Sequence, residues 1–131
     1  MDKIFKINNY KAQIMKLQSS FIVILDALDN QTGTLSLVNI KDSLEILIEN
    51  FQNIYNDVEL FIFFEQINAQ YLKDIFENTN SLLKILYISL ANNSNDYIQI
   101  KDVYNIVNLI SKNLSNIVEN LKYKRLQSKL V

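Results

Sequence analysis

The chain has 131 residues, which suits one domain, and about half of them are apolar, too many for a disordered protein. It contains no proline, cysteine, histidine or tryptophan and a single glycine, Gly33, so it lacks the residues that sheets and tight hairpins usually need at their turns. The net charge of −1 gives no long-range field that would hold nucleic acid or an anionic membrane. These observations favour long helices joined by short polar turns.

The first helix is predicted from about Lys3 to Asp29. Apolar residues in this segment recur at alternating spacings of three and four, which places their side chains on one stripe of a helix. The stripe consists of Ile7, Tyr10, Ile14, Leu17, Phe21, Ile24 and Leu28. Residues 30–33, Asn-Gln-Thr-Gly, are predicted to end the helix, because Gly33 takes a left-handed conformation at no steric cost.

The second helix is predicted from about Leu35 to Tyr55 or beyond, on a stripe with the same spacing. The stripe consists of Leu37, Ile40, Leu44, Leu47, Phe51, Ile54, Val58 and Phe61. Asn56-Asp57 is the expected break, because Asn56 can cap a new helix with Glu59 in the capping-box position. A continuous, bent helix through this point is the alternative.

The third helix is predicted from Val58 to Asn78, where the apolar pattern is less regular. Its apolar members are Phe61, Phe64, Ile67, Tyr71, Leu72, Ile75 and Phe76. Residues 60–64 alone resemble a short buried strand, but we favour a helix because no second strand candidate exists to pair with them. Residues 78–81, Asn-Thr-Asn-Ser, are expected to form a turn or to cap a further helix.

Residues 82–90 follow, apolar on nearly all sides of a helix, and residues 92–96 form the clearest loop signal. The last helix is predicted from about Tyr97 to Arg125, and a basic tail covers about residues 122–131. Its stripe consists of Ile100, Val103, Val107, Ile110, Leu114, Ile117 and Leu121. The predicted fold is an all-α, up-and-down antiparallel bundle of four main helices, and a short extra helix is left open.

The residue types exclude most enzyme chemistry. Nucleophilic triads and thiol catalysis need a cysteine or a histidine base, and zinc and di-iron sites are normally built with the same residues. A single glycine cannot form a phosphate-cradling loop. The chain is therefore interpreted as non-enzymatic, and no catalytic residue, cofactor or metal site is expected.

Three weaker patterns are interpreted as structural. Asp42, Glu45 and Glu49 share one helix face that could bind a cation, but a solvated surface with a Lys41–Glu45 pair is favoured. Four tyrosines near the stripes suggest an aromatic platform, although core or boundary positions are more common for such residues. They are Tyr10, Tyr71, Tyr87 and Tyr104. The basic tail could contact RNA or an acidic partner, but the favoured interpretation is that its charges suit the negative end of a helix dipole and keep that end solvated.

A surplus of apolar residues marks a candidate partner-binding surface. Residues 82–90 and 61–64 carry more large apolar side chains than one inward face can hold. The predicted contact residues are Leu82, Leu83, Ile85, Leu86, Tyr87, Ile88, Leu90, Phe61, Phe63 and Phe64. The expected partner is another protein or a second copy of the chain. Neither nucleic acid nor a small-molecule substrate is expected.

Residues 83–114 form a helix, a polar Asn-Asn-Ser-Asn-Asp loop and another helix, and this stretch loosely resembles the second half of a flagellar export chaperone. The stretch covers about a quarter of the chain. In the first helix, Ile24 to Ala27, Ile-Leu-Asp-Ala, departs from the Leu-Tyr-Asp-Gly-like segment of that family. The resemblance implies a small helical adaptor or export chaperone of the flagellar and type III secretion kind. The alternative is a structural or self-associating subunit of phage or cell-envelope machinery.

The apolar runs are short. None approaches the ~20 residues that span a bilayer, and the first fifteen residues lack the apolar centre of a signal peptide. No membrane span is expected, and the expected location is the cytoplasm.

Overall fold

Four α-helices make up nearly all of the chain that a computed structural model describes, which comprises residues 3–29, 37–65, 69–92 and 99–121. The helices are α1 (Lys3–Asp29), α2 (Leu37–Glu65), α3 (Ala69–Ala91) and α4 (Ile100–Asn120). No strand occurs within these four ranges. The all-α fold class predicted from the sequence is therefore confirmed.

Each helix packs against two others: α1 and α3 each contact both α2 and α4. Leu28, at the end of α1, lines one pocket with Ile100 at the start of α4, so these two helices run antiparallel. Gln13, early in α1, lines another pocket with Asp57, late in α2, so this pair is antiparallel too. The result is the up-and-down antiparallel arrangement that the sequence predicted.

The predicted stripes of α1, α2 and α4 face the core. Their buried members are Ile7, Ile14, Leu17, Phe21, Leu28, Ile40, Leu44, Leu47, Phe51, Ile54, Val58, Val103, Val107, Ile110, Leu114, Ile117 and Leu121. Tyr10, Ile24 and Ile100 are partly buried against this core. Leu37 and Phe61 lie outside the residues whose side chains the structure describes. The strict spacing of three and four thus identified the inward faces of three helices.

The break predicted at Asn56-Asp57 is wrong, because α2 continues to Glu65. Asn56 and Asp57 are exposed, whereas Ile54 and Val58 on either side of them are both buried. Residues four apart share one helix face only if the helical turn continues between them. Core packing of this pair therefore overrides the local capping signal. Residues 60–64 belong to the same helix and form no strand.

The predicted bounds of the third helix are also wrong: α3 begins at Ala69, not Val58, and it continues through residues 78–81. Thr79 explains the continuity. It is fully buried, and its Oγ1 donates a hydrogen bond to the carbonyl oxygen of Ile75, one turn earlier, at 2.7 Å. This bond satisfies the hydroxyl inside the core, so a polar residue can occupy an inward position.

The inward face of α3 therefore passes through Thr79 and links the two apolar segments that the sequence separated. It consists of Leu72, Ile75, Phe76, Thr79, Leu83, Leu86 and Leu90. Tyr71, which was predicted to lie on the stripe, is instead 49 % exposed. Residues 82–90 are part of α3 and do not form the separate short helix that the sequence left open.

The last helix is shorter than predicted. It begins at Ile100 instead of Tyr97, because the Asp102 carboxylate accepts a hydrogen bond from the backbone N–H of Gln99 at 3.2 Å and caps the helix there. It ends at Asn120, well before Arg125. The Asn120 side-chain amide donates to the carbonyl oxygen of Asn116 at 2.8 Å, and the last helical bond runs from the backbone N–H of Leu121 to the carbonyl oxygen of Ile117 at 3.0 Å. Gly33, the loop residues 93–96 and the basic tail lie outside the described residues.

Candidate functional site

Three polar contacts join α2 to α3 and fix one antiparallel register. In the order of α2, they are Tyr87 Oη to Glu45 Oε1 at 2.5 Å, Gln52 Nε2 to Asn80 Oδ1 at 3.3 Å and Tyr55 Oη to Glu77 Oε2 at 3.3 Å. Each step forward along α2 is matched by an equal step backward along α3. We call this line of contacts the α2–α3 seam.

Aromatic rings fill the seam near the end of α2. The Tyr55 ring stacks on Phe76, with centroids 5.0 Å apart and planes 7° from parallel. Phe76 also packs against Phe51, with centroids 5.6 Å apart. Burial, and then the negative charges of neighbouring carboxylates together with the hydrogen bond to Glu77, raise the pKa of Tyr55 to about 12. These carboxylates are Glu77, Glu59 and Asp74.

The raised pKa of Tyr55 predicts a loss of stability in alkali. The fold favours the neutral phenol, so its contribution is complete below the unfolded value near pH 10 and is lost as the pH rises through about 12. The melting temperature, measured by circular dichroism between about pH 9 and pH 12, should fall more steeply with pH for the wild type than for Tyr55→Phe. Every other residue is the same in both proteins, so the difference isolates Tyr55, and parallel curves would contradict the prediction.

A shallow groove lies at the other end of the seam, and we call it the α2–α3 groove. Its volume is about 270 Å³, and it is lined by Glu45, Ile48, Lys84, Tyr87 and Ile88. Ile48 and Tyr87 are half-buried against the core, whereas Ile88 is 55 % exposed. The hydrogen bond to Glu45 holds the Tyr87 hydroxyl, so this wall of the groove is formed before any partner arrives.

The predicted partner-binding residues divide into four groups. Leu83, Leu86 and Leu90 are buried, so they belong to the core and not to the predicted surface. Their helix, α3, contacts both α2 and α4. Leu82 is half-buried, like Tyr87. Ile85 is 57 % exposed and lies one turn from Ile88 on the outer side of α3. Phe61, Phe63 and Phe64 belong to α2, but their side chains lie outside the described set.

Acidic side chains border the groove on α2. The sequence suggested a Lys41–Glu45 pair, but Lys41 pairs with Asp42 at 3.9 Å, and Glu45 accepts the Tyr87 hydroxyl. That hydrogen bond, then burial, then the charges of Glu45 and Asp42 raise the pKa of Tyr87. In the described ranges, no three carboxylates are grouped so that they could hold a metal ion.

A second exposed apolar surface lies on α1, away from the residues that the sequence predicted to bind a partner. Nine large apolar residues of the described chain are clearly exposed, and α1 carries four of them: Phe5, Met15, Ile22 and Val23. Ser19 lies among the last three, and its hydroxyl donates to the Met15 carbonyl at 3.0 Å. We call Met15, Ser19, Ile22 and Val23 the α1 outer patch. Its signal was the apolar run at residues 21–25, which extends beyond the inward stripe.

No family model, curated protein or solved structure was found to match the chain. The resemblance to export chaperones therefore rests on the pattern of residues 83–114 alone. In the part of the chain that the structure describes, no helix combines the length and the apolarity needed to cross a membrane.

A polar cleft of about 340 Å³ separates α1 from α2. Amide and charged side chains line it above a floor of Leu17, Leu47 and Ile54. Ser20 and Lys16 both line this cleft, a pairing that some hydrolases use as nucleophile and base. Here the Ser20 hydroxyl donates to the Lys16 backbone carbonyl at 3.3 Å, so it is not directed at an amine. The cleft is therefore interpreted as a solvated surface.

The four tyrosines considered as an aromatic platform lie on three helices. Tyr10, Tyr87 and Tyr104 are half-buried against the core, as boundary residues are. Tyr71 is exposed, and its hydroxyl accepts a hydrogen bond from Asn116 Nδ2 at 3.0 Å. Tyr71 and Tyr87 alone are ~24 Å apart along α3, so no single platform holds the four rings.

Proposed function

We propose that the chain is a non-enzymatic helical bundle that binds another protein, and that a helix of this partner docks in the α2–α3 groove. The observation that carries the proposal is the exposure of Ile88, at 55 %, on the edge of the groove, together with that of Ile85, at 57 %, one turn away on the outer side of α3. Large apolar side chains grouped on a surface are costly in water and commonly mark an interface.

The shape of the groove supports a helical partner. It lies between two antiparallel helices, and an amphipathic helix binds such a groove through side chains at intervals of three and four. Ile48 forms the base of the groove and Ile88 its apolar edge on α3. Because Tyr87 is already held by Glu45, little side-chain ordering is required on binding.

The specific role that we propose is a small adaptor or export chaperone acting in the cytoplasm. The resemblance over residues 83–114 supports this role, since that stretch contains both exposed isoleucines. The alternative is a self-associating subunit of a larger assembly, and the α1 outer patch favours it. α1 and α3 each contact both α2 and α4, so these two helices lie diagonally across the bundle. The α1 outer patch and the α2–α3 groove are therefore on different sides of the bundle, which suits repeated contacts between copies.

The test is copurification with Ile85→Ser and Ile88→Ser, made singly, beside the wild type. We expect at least one variant to lose the partner, with affinity reduced about tenfold, while its melting temperature stays close to that of the wild type. Mass spectrometry of the wild-type complex should identify one stoichiometric protein.

The matched control is Leu109→Ser, which also removes an exposed apolar side chain, but from α4. It should keep the partner. If both isoleucine variants unfold, residues 82–90 are ordinary core, and if both retain the partner, the groove is not the binding site.

A further inference from the structure

We infer that the helix bound in the α2–α3 groove is basic, with lysine or arginine beside its apolar stripe on the flank that faces α2. This inference rests on the proposed function and specifies the chemistry of the partner.

Negative charge is concentrated in α2. The helix carries six acidic residues and one basic residue, a net charge of −5. The rest of the chain carries eight acidic and twelve basic residues, a net charge of +4. The near-neutral total therefore conceals an acidic helix, and the composition alone does not show it.

Glu45 lines the groove, and two more acidic residues lie one turn before and one turn after it on α2. Asp42, Glu45 and Glu49 are exposed and are spaced by one helical turn along α2. The hydrogen bond from Tyr87 places Glu45 on the wall of the groove. Ile46, 63 % exposed, directly follows Glu45 in the chain, so the surface of α2 is apolar as well as acidic.

The basic residues nearby only partly neutralise this surface. Lys41 is paired with Asp42, and Lys84 lies on the α3 side of the groove. An acidic partner helix would bring its carboxylates against Glu45 and Glu49, which disfavours binding, whereas lysine or arginine on the same flank would be attracted. Attraction between exposed charges is screened beyond about 8 Å at physiological salt, so the preference should depend on ionic strength.

The experiment compares two synthetic peptides of about 18 residues with the same leucine stripe, one with lysine and one with glutamate at the flanking positions. Fluorescence anisotropy measures their binding to the full chain at low and at high salt. We expect the lysine peptide to bind at least about tenfold more tightly at low salt, and we expect most of this advantage to disappear at about 0.5 M salt. Ile85→Ser should weaken binding of the lysine peptide.

Charge variants locate the effect. Glu45→Gln combined with Glu49→Gln should reduce the preference for lysine several-fold. The matched control, Asp29→Asn combined with Glu119→Gln, also removes two exposed negative charges, but from α1 and α4, and should leave the preference unchanged.

Equal binding of the two peptides, or equal effects of the two double variants, would overturn the inference while leaving a groove that binds helices. Sedimentation could instead reveal a wild-type dimer that Ile85→Ser dissociates, with no preference for lysine, and this result would assign the groove to a second copy and overturn the inference. If neither peptide binds and Ile85→Ser and Ile88→Ser both retain the native partner, the proposed function fails together with the inference.

Discussion

Val107→Asp is expected to unfold the chain at room temperature. Val107 is fully buried in the middle of α4, where its neighbours on the inward stripe, Val103 and Ile110, are also buried. A carboxylate enclosed by this apolar core costs several kcal/mol, a large fraction of the roughly 5–15 kcal/mol that stabilises a typical domain. The far-ultraviolet circular dichroism of the variant should lose most of its helical signal.

The control is the same substitution two residues along the same helix. Leu109 is 46 % exposed, so the carboxylate of Leu109→Asp can remain in water, and the stability should change by about 1 kcal/mol or less. Comparable losses in the two variants would mean that the inward face of α4 has been assigned incorrectly.

The sequence predicted the architecture well where apolar spacing alone decides it. The bounds of α1 follow from a stripe without a miss from Ile7 to Leu28. The bounds of α2 and α3 were missed because polar residues in a helix and polar residues in a turn have similar local patterns. Only the contacts of Val58 and Thr79 with the core distinguish the two cases, and such contacts depend on the whole fold.

The candidate site could be predicted in part. The count of apolar residues at 82–90 correctly indicated that some must be exposed, but it could not identify Ile85 and Ile88. The helical phase of this segment depends on Thr79, which a search for apolar residues does not count. The α1 outer patch escaped notice because the inward stripe already accounted for the helix. Partner-binding surfaces have no fixed residue pattern, so the identity of the partner does not follow from the fold.

Phe76→Ala should cause the second-largest loss, about 3–5 kcal/mol of the free energy of unfolding. Phe76 is fully buried, and its ring packs against both Tyr55 and Phe51, so its removal leaves a cavity in the α2–α3 seam. Urea denaturation measures the change, and the slope of the transition should stay constant if the native fold is retained.

Tyr71→Ala is the control for Phe76→Ala, because it also removes an aromatic ring from α3, but an exposed one. It should cost about 1 kcal/mol or less, which includes the loss of the hydrogen bond from Asn116. A comparison of Phe76→Ala with Ile85→Ser also separates stability from binding. Because Phe76 supports the seam that ends in the groove, its removal should weaken both the fold and the binding of a helical peptide, whereas Ile85→Ser should weaken binding alone. A cost for Phe76→Ala as small as that for Tyr71→Ala would mean that the aromatic cluster does not hold α2 against α3.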